Sequence, residues 1–150
     1  MFKFATIGAF DNAINVPYCT IPSTVTAKVY NGMGVTIDRA AKTVALTTAS
    51  ESGDIYVVYN VQRTFDFDNS ADFCMVAGDM PLVYSLKSLV DYEVEFSVDD
   101  KIVAAPDAVA VGSTLVYGAD GKLAAGTSST QPYFKVLEIV DGVARAQVIG

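Results

Sequence analysis

Apolar and polar positions alternate along most of this chain with a period of two, the spacing that sends successive side chains to opposite faces of a strand. "TVTAKVYNG" (24–32) alternates and is rich in β-branched residues. "GVTID" (34–38) and "KTVALTTA" (42–49) follow, joined by a turn at Asp38-Arg39-Ala40-Ala41. "GDIYVVYNVQRTFDF" (53–67) predicts the longest strand. Ile55, Val57, Tyr59 and Val61 share one of its faces and Tyr56, Val58 and Asn60 the other, so much of it is expected to be buried on both sides. A polar break, "DNSAD", then leads to the short apolar run "FCMVA" and a stop at Gly78-Asp79.

The second half reads the same way. "YEVEFSV" (92–98) alternates cleanly, with Val94 and Phe96 inward and Glu93 and Glu95 together on the solvent face. "KIVAA", "AVAVGSTLVYG" and "KLAAG" follow as further strand candidates, punctuated by Pro106 and the turn Ala119-Asp120-Gly121. The chain closes on "YFKVLEIV" and "VARAQVIG" around Asp141-Gly142, a strong hairpin signal because a type I′ turn needs positive φ at both central residues. One patch, "YSLKSLV", has helical spacing at Leu86, Leu89 and Val90, with Ser85 placed to cap it, and spans one or two turns at most. The expected fold class is therefore all-β: small β-sandwich or barrel modules with at most one or two short helical turns.

Two stretches echo each other. "GVTIDRAAKTVALTTASESGDIYVV" and "GSTLVYGADGKLAAGTSSTQPYFKV" share an order of Gly, apolar strand, acidic turn, Lys, small-residue strand, Ser/Thr loop, Tyr and strand. Any two β-rich hairpins look somewhat alike, and that is the plainer explanation; a true repeat would make two related modules meeting near Gly78. The organisation expected is residues 1–12 as an N-terminal arm or first strand, 13–77 as one β-rich module and 78–150 as another, or one compact domain overall.

Composition narrows the function classes. Of 150 residues, 51% are apolar and 18% charged, a globular balance with fewer charges than the roughly 25% of an average domain. A large partner interface is one way to account for so few charges; a surface made polar by Thr, Ser and Asn is another. The net charge of -7 and the absence of basic runs argue against direct nucleic-acid binding and against an anionic membrane surface. No stretch has the uninterrupted apolar length of a membrane span or a secretory leader. Cys19 and Cys74, far apart and each beside an aromatic residue, read as buried free thiols, which suits a reducing compartment such as a cytoplasm.

Reactive chemistry is hard to assemble from these residues. The chain contains no histidine, which removes Ser-His and Cys-His nucleophile pairs and histidine metal ligands. Two isolated cysteines do not make a zinc site, and no phosphate-binding glycine loop occurs; "NGMGV" (31–35) is a turn between strands. In "FDFDNSADF", Asp66, Asp68, Ser70 and Asp72 alternate like the start of a calcium loop, but Ala71 and Ala77 stand where Gly and a bidentate Glu are needed. A solvated acidic loop, or one that meets a basic partner, is the better reading. Glu93/Glu95 and Asp99/Asp100 offer paired carboxylates, but a glycosidase-type acid pair would come from different strands flanking a cleft, and there is no aromatic-lined signature and no Trp to stack on a sugar. No enzyme, no cofactor and no metal is expected.

From "GDMPLVYSLKSLVDYEVEFSVDDKI" to "AVAVGSTLVYGADGKLAA" the chain resembles the small capsid decoration (cement) proteins of tailed bacteriophages. The likeness rests on Gly78, Asp79, Leu86, Leu89, Val94, Gly112, Leu115, Tyr117, Asp120, Gly121 and Lys122, about the last half of the chain. It departs where an Ile-Gly-Val-Ala-like strand commonly follows the hairpin; here "YFKVLEIV" stands instead. The resemblance implies a virion structural protein, made in the host bacterial cytoplasm and bound to the outer capsid surface. Its partner would be the major capsid protein, with self-association or many copies per capsid. Phe2, Phe4, Ile7 and Phe10 of the apolar start, and Asp66, Asp68 and Asp72 of the acidic loop, are the candidate partner contacts. Two other classes stay open: a head-fibre or tail-attachment protein, and a host- or carbohydrate-binding module using some of the eight tyrosines.

Overall fold

A computed structural model of the chain describes residues 1–4, 19–49, 53–60 and 73–150, with Phe4 described by its backbone alone. The protein is all-β. In chain order the strands are β1 (Phe2–Phe4), β2 (Val29–Tyr30), β3 (Gly34–Asp38), β4 (Thr43–Leu46), β5 (Tyr56–Val58) and β6 (Cys74–Met75). They continue as β7 (Val83–Ser85), β8 (Glu93–Ser97), β9 (Thr114–Tyr117), β10 (Leu123–Ala125), β11 (Tyr133–Val140) and β12 (Val143–Ile149). Among the described residues every pairing between these strands is antiparallel. A six-stranded sheet runs β1-β8-β12-β11-β9-β10, a four-stranded sheet runs β4-β3-β5-β7, and β2 pairs with β6.

The four-stranded sheet lies between two cores, and β5 shows why. Val57 belongs with Ile55 to a core built on the inner face of the large sheet, where Phe96, Leu115, Phe134 and Ala146 gather. Tyr56 and Val58 belong to a second core with Val35, Val44 and Val83, closed from the other side by Ile21, Val29 and Met75. Alternate residues of one strand thus feed opposite cores, and Ile55, Tyr56, Val57 and Val58 are all buried, as their unbroken apolar run implies. Tyr84, opposite Val57 on β7, faces the first core's side beside Tyr59, while Val83, opposite Val58, enters the second.

The sheets meet closely where Gly34, at the start of β3, faces Tyr117, at the end of β9. Gly34 has no side chain, and a Cβ there would sit 2.5 Å from the Tyr117 ring, so only glycine admits that ring. The Tyr117 hydroxyl donates to the Gly32 carbonyl at 2.7 Å, and the Thr47 hydroxyl donates to the Gly118 carbonyl at 2.8 Å. The same ring packs edge-on against Phe134 at 5.4 Å between centroids. Each sheet therefore holds the other by a side chain aimed at its backbone.

Both stretches of the internal echo adopt one strand order. β3 pairs with its hairpin partner β4 on one side and with β5 on the other, as β9 pairs with β10 and β11. Matching Val35 to Leu115 and Tyr56 to Phe134 aligns the two sets, and all four are buried. The pairing of β5 with β7, and of β1 with β8, crosses the segment boundaries expected from the sequence.

Several expected strands are shorter than the alternation suggests. In 24–32 only Val29–Tyr30 is strand, because the Val25 amide turns back to the Pro22 carbonyl and Thr24, Thr26, Ala27 and Lys28 are exposed. "KIVAA" is no strand: the Ile102 and Val103 amides turn back onto the Asp99 carbonyl, leaving one bridge from Val103 to Leu123. Ahead of β9, Pro106–Ala108 forms a 3-10 turn. The helix-like patch is a single 3-10 turn, Leu86–Leu89, burying both leucines; Ser85 stands at its start without a side-chain cap, and its carbonyl accepts from the Ser88 hydroxyl at 2.7 Å. At the final hairpin Asp141 and Gly142 have φ of 49° and 75°, the two positive values the turn requires.

Candidate interaction surface

Phe2 is expected from the sequence to meet a partner, and its position in the fold corrects that. It is 3% exposed and lies in the first core, its ring edge-on to Tyr59 at 6.2 Å. Antiparallel pairing of Phe2 with Phe96 places it on the inner face of the large sheet, so a partner cannot reach it. Phe4, opposite Val94 in the same pairing, is a residue of the edge strand rather than of a free arm. Ile7, Phe10, Asp66, Asp68 and Asp72 lie outside the described residues. Cys19 is a buried free thiol and Cys74 a half-buried one. Among the described residues no three His, Cys, Asp or Glu gather as metal ligands would.

What the fold offers to a partner is the outer face of the six-stranded sheet. Register fixes its rows. Lys3 stands opposite Glu95, Glu95 opposite Arg145, and Arg145 opposite Glu138, four side chains on four neighbouring strands with charges alternating in sign. Lys3 and Glu95 pair at 2.6 Å, while Arg145 reaches diagonally to Glu93. Glu138 is exposed and makes no ion pair among the described residues. The next outward row toward the hairpin tip is Ser97, Val143 and Val140, extended by Met1, whose carbonyl accepts from the Ser97 amide. The two rows line a shallow depression of about 340 Å³.

A β-bulge makes this face possible. Val136 and Ile139 both point toward the core, an odd spacing that strict alternation forbids. The register shifts between Val136 and Glu138, so Leu137 and Glu138 together occupy the outer side opposite Arg145. Were the same residues to run as a regular strand without the bulge, Glu138 would turn into an apolar core. Leu137 and Val140 are left as exposed apolar residues beside the charges. The alternation "FKV" followed by "LEIV" carries this signal, since a charge arrives where the period calls for a core residue.

A second exposed apolar feature is the turn 76–80, five consecutive exposed residues that include Val76 and Met80. It is held rigidly: the Asp79 carboxylate accepts from the Val76 amide at 2.8 Å, the Gly78 amide donates to the Ile21 carbonyl, and the Ile21 amide donates to the Asp79 carbonyl. A smaller hollow of about 150 Å³ lies between Ile55, Tyr117 and Gln131. Burial pushes the Tyr117 phenol well above its usual range, and with its proton held on the Gly32 carbonyl it serves as a fixed donor. No family model, no curated protein and no solved structure matches this chain.

Proposed function

We propose that this chain is a virion structural protein, a decoration protein that binds the outer surface of a tailed-phage head and braces the lattice of the major capsid protein. It works by adhesion and transforms no substrate. Many copies would sit across seams between capsid subunits, each burying surface that neither neighbour covers alone, so that separating the subunits requires re-exposing it.

The observation that carries this reading is the resemblance over Gly78–Lys122. Its residues are the ones that a shared fold would need to keep. Leu86, Leu89, Val94, Leu115 and Tyr117 lie in one core, and Asp120-Gly121 forms the tight turn between β9 and β10. A rigid layered scaffold, its two large sheets tied by buried hydrogen bonds, supports the same reading, because adhesion needs a surface that keeps its shape.

Purified protein added to expanded capsids that lack it is expected to bind in saturable stoichiometry and to raise their thermal or osmotic tolerance. Capsids that neither bind the protein nor gain tolerance would overturn the proposal.

A further inference from the structure

The charged row across the large sheet has a property that a row of four need not have. Read from β1 to β11 it runs Lys3, Glu95, Arg145, Glu138: plus, minus, plus, minus. Read backwards it is minus, plus, minus, plus, so reversal changes every sign. A surface with that property is complementary to itself under a two-fold rotation, the operation that relates the halves of an isologous dimer.

We propose that the outer face of the six-stranded sheet is a self-association surface, and that its occupant is the same face of a second copy of this chain. The two-fold axis runs parallel to the strands, between β8 and β12. It sets Lys3 over Glu138 of the second copy and Glu95 over Arg145 of the second copy, each pair occurring twice. The neighbouring row follows with no further adjustment. Met1 meets Val140 of the second copy, and Ser97 meets Val143, so apolar side chains that are 40% and 55% exposed at Met1 and Val140 cover each other. Glu138, without an ion pair among the described residues, gains the Lys3 ammonium. Face-to-face packing of two sheets with aligned strands is an ordinary arrangement for antiparallel sheets. Overall net charge of -7 on each copy opposes association, so the pairing of signs within the row has to supply the specificity.

The proposal concerns the free chain in solution and stands apart from the capsid reading: either can fail alone. The test uses a pair of charge reversals. Arg145→Glu makes the row plus, minus, minus, minus, and Glu95→Arg makes it plus, plus, plus, minus. Each variant sets like charges over like charges against its own copy, yet the two are fully complementary to each other. Sedimentation over a concentration series is expected to show the unaltered chain moving from monomer to dimer. Each variant alone should weaken that dimer by about a hundredfold or more. An equimolar mixture of the two should restore it as a heterodimer. A chain that stays monomeric, or variants that dimerise as well as the original, would overturn the proposal, as would a mixture of folded variants that fails to recover.

Should either variant unfold, the unaltered protein decides the matter. Within one chain Lys3 and Glu138 are three strand spacings apart, about 14 Å, beyond the reach of a zero-length crosslink. Carbodiimide treatment of mixed ¹⁴N- and ¹⁵N-labelled protein is expected to give a Lys3–Glu138 link carrying one label of each kind. A dimer without that mixed link would refute the geometry.

Discussion

Tyr117 does three things at once, and each follows from where its ring is allowed to go. Its hydroxyl reaches the Gly32 carbonyl, its ring lies on the bare backbone of Gly34, and its edge meets Phe134. The proton it holds is tied to stability in a way that fixes a sign. Below about pH 10 the phenol is protonated in folded and unfolded chains alike, and its contribution is complete. Above that the unfolded chain ionises while burial keeps the folded phenol protonated, so stability drains away as pH climbs toward the raised folded value. We expect Tyr117→Phe to cost about 1 kcal/mol near pH 8, from the lost hydrogen bond. The deficit should shrink or reverse near pH 11, because phenylalanine has no proton to lose. Urea midpoints of both proteins at the two pH values read this directly. The sequence places Tyr117 in an apolar run and implies burial, but the glycine that makes room for it lies far upstream, and no local pattern joins the two.

At the scale of elements, the last hairpin was the most legible part of the chain and also hid the most. Asp141-Gly142 announces its turn through backbone chemistry that any reader of the sequence can apply, and β11 and β12 close around it as that chemistry requires. The bulge is written there too, though only as a broken alternation. Deleting Leu137 restores that alternation, with Val136 inward, Glu138 outward and Ile139 inward. That deletion is expected to leave a cooperatively folded protein within about 1–2 kcal/mol of the original. Deleting Glu95 from the regular strand β8 should instead turn Phe96 out of the core and cost more than the 3–5 kcal/mol typical of truncating a buried phenylalanine. Thermal unfolding followed by circular dichroism separates the two outcomes. Elsewhere alternation overstated the strands. In 24–32 and 101–105 the apolar residues are there, but amides that bond back within three or four residues use up the donors a ladder needs.

For the whole molecule, the decisive arrangement is a sheet with a core on each side. A break in one core must travel through β5 to the other, because Val57 and Val58 are neighbours in sequence and belong to different cores. Cys19, buried in the second core, reports on it independently. In a Cys74→Ser background, Phe134→Ala in the first core is expected to shift the denaturant midpoint for Cys19 labelling by the same amount as the midpoint for loss of circular dichroism. Separate midpoints would mean two folding units. Such coupling was half-readable: the long apolar run at Ile55–Val58 implies burial on two sides, while the identity of the second cover, the segment at Ile21 and the short β2–β6 pair, depends on contacts distant in sequence. The candidate face divides along the same line. Glu93 and Glu95 are outward by simple alternation, but their alignment with Lys3 and Arg145 exists only once four strands are set side by side.

The ties between the two large sheets are asymmetric in what inheritance can alter. Thr47 and Tyr117 donate, and what they donate to is main-chain oxygen, at residues 118 and 32. Every amino acid brings that oxygen with it, so the receiving half of each tie survives any replacement that leaves the backbone path in place. A descendant lineage can therefore loosen these two bonds from the donor ends, or by placing at Gly34 a side chain that displaces the Tyr117 ring, and its history of tightening or loosening would be recorded at three codons.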